Sequence, residues 1–127
     1  MKITSFNPMI VTKDPEATIA LFEALGFERH HYKVNEEGLA FSSVRMKHEN
    51  GFYVDVVASD KQQTDRDLTL IRMNVDDFEE AAELLLRNGF HESKIVSQST
   101  TATSRYAYFV SPSGFMIDLI KHIKKDG

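Results

Sequence analysis

The sequence predicts an α+β fold made of two tandem βαβββ units. Three observations predict it: landmarks that recur at one constant offset, two short helical segments each opened by Asp and closed by Gly, and three strand-like segments after each helix. Sliding the chain along itself by about 63 positions superposes Asp14 on Asp77, Glu16 on Glu79, Leu21 on Leu84, Gly26 on Gly89, Phe27 on Phe90, Gly51 on Gly114, Phe52 on Phe115 and Asp55 on Asp118. These pairs fall at helix starts, helix ends, turns and strand positions, where local physics restricts residue type.

In the first copy, residues 6–12 alternate loosely and read as a strand, after which Asp14 supplies an N-cap and Pro15 the residue best tolerated at the first helical position. Ala17, Leu21, Ala24 and Leu25 recur at helical spacing and are expected to form the buried stripe, with Gly26 ending the helix at positive φ. Residues 28–34, 39–47 and 52–58 read as strands separated by the turn-forming clusters 35–38 and 48–51. The second copy repeats this order. Its first strand is 68–75, Asp77 caps a helix over 78–88 with Glu80 at the capping-box position, and Gly89 stops it. Strands 90–97, 105–110 and 115–123 follow, divided by the polar run 98–104 and the turn Ser111-Pro112-Ser113-Gly114. The expected division is unit one 1–58, linker 59–67 and unit two 68–127, within one domain over 1–127.

At 127 residues, with 42% hydrophobic and 27% charged residues, the chain has the ordinary composition of one globular domain. A chain of this size buries roughly two-thirds of the surface its unfolded form exposes, so its core needs no disulfide or metal to hold it. The lack of cysteine excludes a thiolate nucleophile and a thiolate metal site, and suits a reducing compartment; the cytoplasm is the expected location. The first residues lack the apolar region of a secretory signal, and no apolar run reaches membrane-spanning length, so no membrane partner is expected. A net charge of −4 argues against nucleic-acid binding, and the basic stretch Lys121, Lys124 and Lys125 reads as a solvated tail.

The five histidines do not suggest a metal site. His30 and His31 are neighbours on one strand and are expected to diverge to opposite faces, His48 lies in a hairpin turn, His91 opens a strand and His122 sits near the chain end. No pair has the i, i+4 helical spacing of zinc proteases, no serine sits in a nucleophile elbow, and no glycine loop suits a phosphate.

Local wording adds a family resemblance. The segments VTKDPEATIALFEALGF and AYFVSPSGFMIDLI resemble the first strand, capped helix and closing hairpin of the vicinal oxygen chelate superfamily, which includes glyoxalase I, bleomycin resistance proteins and extradiol dioxygenases. The resemblance implies an open, cup-shaped, eight-stranded mixed sheet with helices outside and a ligand held in the cup. It also implies four metal-ligand positions in the family's enzymes, commonly His, Glu, His and Glu. Carried over, these fall on Asn7, Asp55, Leu70 and Asp118. Leucine has no lone pair to donate and an Asn carbonyl is a poor ligand for transition metals, so no cofactor is expected and a divalent metal is disfavoured.

Strand alternation sets Asp55 between Val54 and Val56, and Asp118 between Ile117 and Leu119, so both carboxylates should face away from the helices. A pocket role and a simple ion pair, to Arg45, Arg72 or Arg105, both fit such a charge. Arg72 and Asn74 share the face of Leu70 and could meet a ligand, or Arg72 could only neutralise the aspartates. Met9 and Val11 share the face of Asn7, and Tyr53 and Val57 that of Asp55, as apolar wall.

Three functions follow as expectations. The favoured one is a metal-independent protein that binds and sequesters a small organic molecule, of the bleomycin resistance type, its acidic floor suiting a cationic or amine-bearing ligand. The alternative is a divergent metal-dependent lyase, isomerase or dioxygenase of the same superfamily, recruiting metal through Asp55 and Asp118. The third is a domain with a filled interior that acts through protein contacts alone. The resemblance and the unprotected edge of an open sheet also imply a homodimer. The run 98–104 is a candidate rim to the cleft.

Overall fold

The computed structural model describes residues 1–33, 41–59, 66–94, 99–100 and 104–122. The expected turn at 35–38, most of the linker 59–67, part of the rim 98–104 and the tail lysines Lys124 and Lys125 lie outside the described residues. The elements in chain order are β1 (Ile3–Thr12), α1 (Pro15–Ala24), β2 (Phe27–Lys33), β3 (Phe41–His48), β4 (Tyr53–Ser59), β5 (Leu68–Val75), α2 (Phe78–Arg87), β6 (His91–Glu92), β7 (Ser99–Thr100), β8 (Ser104–Val110) and β9 (Met116–His122). They form an open mixed sheet with two helices, the α+β class expected from the repeat. The chain packs as two compact units, Asn7–Thr69 and Met1–Phe6 with Leu70–Gly127, so that β1 contributes its later residues to one and its first residues to the other.

In the Asn7–Thr69 unit the strands lie in the order β2, β3, β4, β1. The antiparallel meander of β2, β3 and β4 brings β4 back parallel to β1, with Met9 opposite Asp55 and Val11 opposite Val57. Asp14 accepts a hydrogen bond from the Ala17 amide at 3.2 Å, and Gly26 leaves the helix at φ 99°, as expected from the capping residues. The buried stripe of α1 differs from the expected one. Ile19 is the buried helix residue and Phe22 packs beside it, against Met46, Val54 and Val56, whereas Leu21 and Leu25 are 56% and 57% exposed. The reason is that α1 is apolar around much of its circumference, so periodicity offers two stripes and packing selects the one carrying Ile19 and Phe22.

In the other unit the first residues of β1 lie beside β5, followed by β9, β8 and β6, with β7 also on β8. β5 and β9 are parallel, and β8 and β9 form an antiparallel hairpin. Of the strand expected over 90–97, His91 and Glu92 form β6 among the described residues, and residues 95–98 lie outside them. Phe78 and Ala81 of α2 are buried against Met73, Val75, Ala107, Phe109, Ile117 and Leu119. Asp77 accepts from the Glu80 amide at 3.1 Å, which is half of the expected capping box. The Glu80 carboxylate meets the Met1 amino group at 3.1 Å, raising that amine's pKa through the hydrogen bond and the charge.

The repeat is visible at the level of single hydrogen bonds. In the β3–β4 hairpin His48 donates to Phe52 at 2.9 Å and Gly51 to His48 at 2.9 Å; in the β8–β9 hairpin Ser111 donates to Phe115 at 2.8 Å and Gly114 to Ser111 at 3.1 Å. These are the superposed positions of the repeat, and the same backbone turn recurs in both units because Gly supplies the positive φ that each one uses.

Candidate functional site

Strand alternation places the two aspartates as expected. Val54 and Val56 pack with Ile19 of α1, and Ile117 and Leu119 pack with Phe78 of α2, so Asp55 and Asp118 stand on the opposite face of their strands. Both are buried, at 1% and 2% exposure. A carboxylate so far from water must be paired or neutralised, and each is met by an arginine.

In the Asn7–Thr69 unit the partner is Arg45, directly opposite Asp55 in the β3–β4 register. Arg45 Nε donates to Asp55 Oδ1 at 2.8 Å and Nη2 to Oδ2 at 2.9 Å, the two-pronged geometry that a planar guanidinium offers a carboxylate. Asn7 closes the group: its Nδ2 donates to Asp55 Oδ2 at 3.0 Å, and its Oδ1 accepts from Arg45 Nη2 at 3.3 Å. Tyr53, expected as apolar wall, holds cations. The Arg45 guanidinium carbon and the Lys47 Nζ lie 5.2 Å and 5.7 Å from its ring centroid. Met9, expected beside Asn7, is fully buried and lies opposite Asp55 across the β1–β4 pairing.

The β2–β3 ladder carries a bulge between Arg29 and His31, and His30 packs its ring 6.0 Å from that of Tyr53. His48 has a local structural role, its ring 5.2 Å from Phe27 and its Nδ1 accepting from the Asn50 amide at 3.2 Å.

In the other unit Arg72 Nε donates to Asp118 Oδ2 at 3.1 Å across the parallel β5–β9 pairing. Leu70, 1% exposed, and Asn74 continue the row of Arg72 along β5, and the Asn74 amide bonds the Ser5 hydroxyl. Tyr108 stands opposite Asp118 on β8. Burial raises its pKa, the charge of Asp118 raises it further, and Arg72 partly offsets both. Arg105, the third candidate partner for an aspartate, instead pairs with Glu79 at 2.5 Å and lies over the Phe78 ring at 4.2 Å.

The two repeats therefore solve one problem in different ways. Position 45 superposes on 108 and position 9 on 72, so the arginine that meets the carboxylate comes from β3 in one copy and from β5 in the other. The expected acidic floor is corrected by this arrangement, because neither aspartate presents an unneutralised charge to a ligand. Lys47 has no place among the residues expected at the site, and Arg45 was expected only as one of three possible ion-pair partners for the aspartates. Their signal was the β3–β4 turn: pairing outward from Gly51 sets Lys47 opposite Tyr53 and Arg45 opposite Asp55.

Leu70 offers no donor atom, both oxygens of Asp55 are engaged by Arg45, and an adjacent guanidinium repels a cation. Among the described residues no three His, Asp or Glu side chains converge.

Comparison with known proteins agrees with the repeat architecture. The solved structure of methylmalonyl-CoA epimerase from Mycobacterium tuberculosis is 15% identical over 96% of this chain and 90% of that one, with a TM-score of 0.66. The epimerase from Streptomyces coelicolor in complex with 2-nitronate-propionyl-CoA is 18% identical over 97% of this chain and 100% of that one, with a TM-score of 0.66. A glyoxalase/bleomycin resistance protein/dioxygenase superfamily member from Vibrio splendidus 12B01 is 14% identical over 94% of this chain and 99% of that one, with a TM-score of 0.60. No curated protein matches the sequence. The family pattern itself matches residues 3–119, and on that match the chain belongs to the Glyoxalase/Bleomycin resistance protein/Dioxygenase superfamily.

Proposed function

We propose that this chain is a metal-independent member of its superfamily that binds a small organic molecule on the polar strand face around Asn7, Arg45, Tyr53 and Asp55. The observation that carries this reading is the locked Asn7–Arg45–Asp55 group, in which residues at two of the family's metal-ligand positions are committed to a guanidinium. Fixed polar groups beside apolar surface are what small-molecule sites use to orient a ligand, and the half-buried Tyr53 ring supplies that surface, backed by the buried Met9, Val11 and Val57. The epimerase of the same fold that holds 2-nitronate-propionyl-CoA supports an organic ligand in general. The cationic ligand expected from the sequence loses its support, since the carboxylates meant to attract it are already paired.

Elemental analysis of protein purified without chelators, together with a thermal-shift screen over ligands of all charges, tests the reading. A ligand at about 100 times its Kd adds about 2.7 kcal/mol of stability, which such a screen resolves. Substoichiometric metal and at least one stabilising organic compound are expected. Stoichiometric nickel, zinc, iron or manganese, lost on Asp118→Ala, overturns it in favour of the metal-dependent enzyme.

The proposal includes pairing of two chains. What supports it is the outward face of α1, where Ala17, Ala20, Leu21, Ala24 and Leu25 are all exposed and all apolar. In a twofold dimer one such stripe meets its own copy, so the surface needs no other partner chemistry to be covered.

A further inference from the structure

The strand face around Tyr53 brings two cations, Arg45 and Lys47, to one aromatic ring. Asp55 offsets Arg45, and Lys47, two residues along β3 on the same face, forms no ion pair among the described residues, its cross-strand neighbour Glu28 being exposed and beyond ion-pair distance. Its charge rests against the Tyr53 ring, with exposed His30 on the same ring. Arg45 is held in place by Nε and Nη2 alone, which leaves the two hydrogens of Nη1 without an acceptor among the described residues. The Arg45 side chain is 24% exposed, so it is partly open to water while Nε and Nη2 are fixed. A donor already immobilised by a buried partner loses little further freedom when a ligand arrives. The second repeat lacks this set: Tyr108, Val110 and Met116 occupy the positions of Arg45, Lys47 and Tyr53.

We propose that the ligand of this site is a small organic oxyanion, a carboxylate or a phosphate, bound by Arg45 Nη1 and Lys47 Nζ, with Tyr53 holding the two cations at their spacing and His30 at the margin. The inference rests on the small-molecule reading above and adds the charge and class of the ligand. Both kinds of oxyanion match the flat edge of a guanidinium and gain from a second cation beside it.

The test titrates benzoate, inorganic phosphate, choline and benzyl alcohol separately into the full chain at low ionic strength, following the backbone and Arg45 Nε resonances by NMR. Saturable shifts at Arg45, Lys47 and Tyr53 with benzoate or phosphate are expected, and the more strongly bound of the two identifies the oxyanion. Lys47→Met should weaken that binding about tenfold, the scale of one charge-assisted hydrogen bond, and Lys47→Arg should restore it. Arg45→Lys, read by the same resonances, keeps a charge beside Asp55 and should also weaken binding if Nη1 is a donor to the ligand. If choline or benzyl alcohol shifts these resonances and neither anion does, the oxyanion inference fails while the small-molecule reading stands. If no compound of any charge binds here or in the thermal-shift screen, the broader reading fails with it.

Discussion

Arg45 grips Asp55 through two nitrogens, at 2.8 Å and 2.9 Å, where the carboxylate is buried and the arginine is partly open to water. Removing one member of such a pair leaves an uncompensated charge in the interior, and the loss exceeds the net contribution of the pair. Arg45→Met should therefore destabilise the protein by about 3 kcal/mol or more. Adding Asp55→Leu to that variant should recover much of the loss, because hydrocarbon of similar size then fills the place of both charges. Denaturant unfolding of the two single variants and the double variant measures this, and strictly additive losses would show that the pair is not coupled.

Gly89 ends α2 at φ 87°, and a Cβ built there would stand 2.8 Å from the Pro112 ring. Left-handed backbone alone costs an L-residue about 1–2 kcal/mol, and the contact adds to it because a proline ring has few ways to yield. Gly89→Ala is expected to lower stability by about 2 kcal/mol or more, whereas Gly51→Ala, at φ 91° with open space around it, should show the backbone cost alone. Equal losses in the two variants would assign the whole effect to backbone conformation and none to Pro112.

These two positions show what the sequence makes legible and what it does not. Gly26, Gly89, Asp14 and Asp77 act through local backbone physics, so residue type at one position suffices to place both helices. The faces of Asp55 and Asp118 follow equally from alternation along a strand. The stripe of α1 does not, because Leu21 and Ile19 are both apolar and only the packing of Met46, Val54 and Val56 chooses between them. The charge of the site is hidden for a similar reason. Asp55 looks acidic in the chain, and its neutralisation depends on a residue ten positions away, brought opposite by a hairpin whose register must be counted outward from its turn. The bulge at His30 has no comparable sequence signal.

Tyr108 gives the protein a specific alkaline weakness. Its phenol is buried beside Asp118, and its folded pKa is raised above the ordinary value near 10. Above that ordinary value the unfolded chain releases the proton while the folded chain retains it, so the folded state binds more protons and stability falls as pH rises. Below it both states are protonated and the shift contributes nothing. The difference in melting temperature between the wild type and Tyr108→Phe should therefore be constant from neutral pH to about 9 and move in favour of Tyr108→Phe above about 10. A difference that stays constant through pH 11 would mean that the phenol ionises as readily in the folded state as in the unfolded one.

The two helices differ in the face they leave uncovered, and the difference gives a test of pairing. α2 exposes Glu79, Glu80, Glu83 and Arg87 alongside Leu84 and Leu86, while the exposed positions of α1 include Ala17, Ala20, Leu21 and Ala24. On a monomer, a single substitution at an exposed helix position away from any specific contact changes stability by no more than about 0.5 kcal/mol. At a self-complementary seam, the same substitution sets two carboxylates against each other in a desolvated patch. Leu21→Glu should therefore leave the fold intact by circular dichroism and convert a dimer to a monomer by light scattering at micromolar concentration. Leu84→Glu, the superposed position on α2, should leave the assembly unchanged. A wild type that is already monomeric at that concentration would remove the pairing proposal, and a dimer that survives Leu21→Glu would place the seam away from α1.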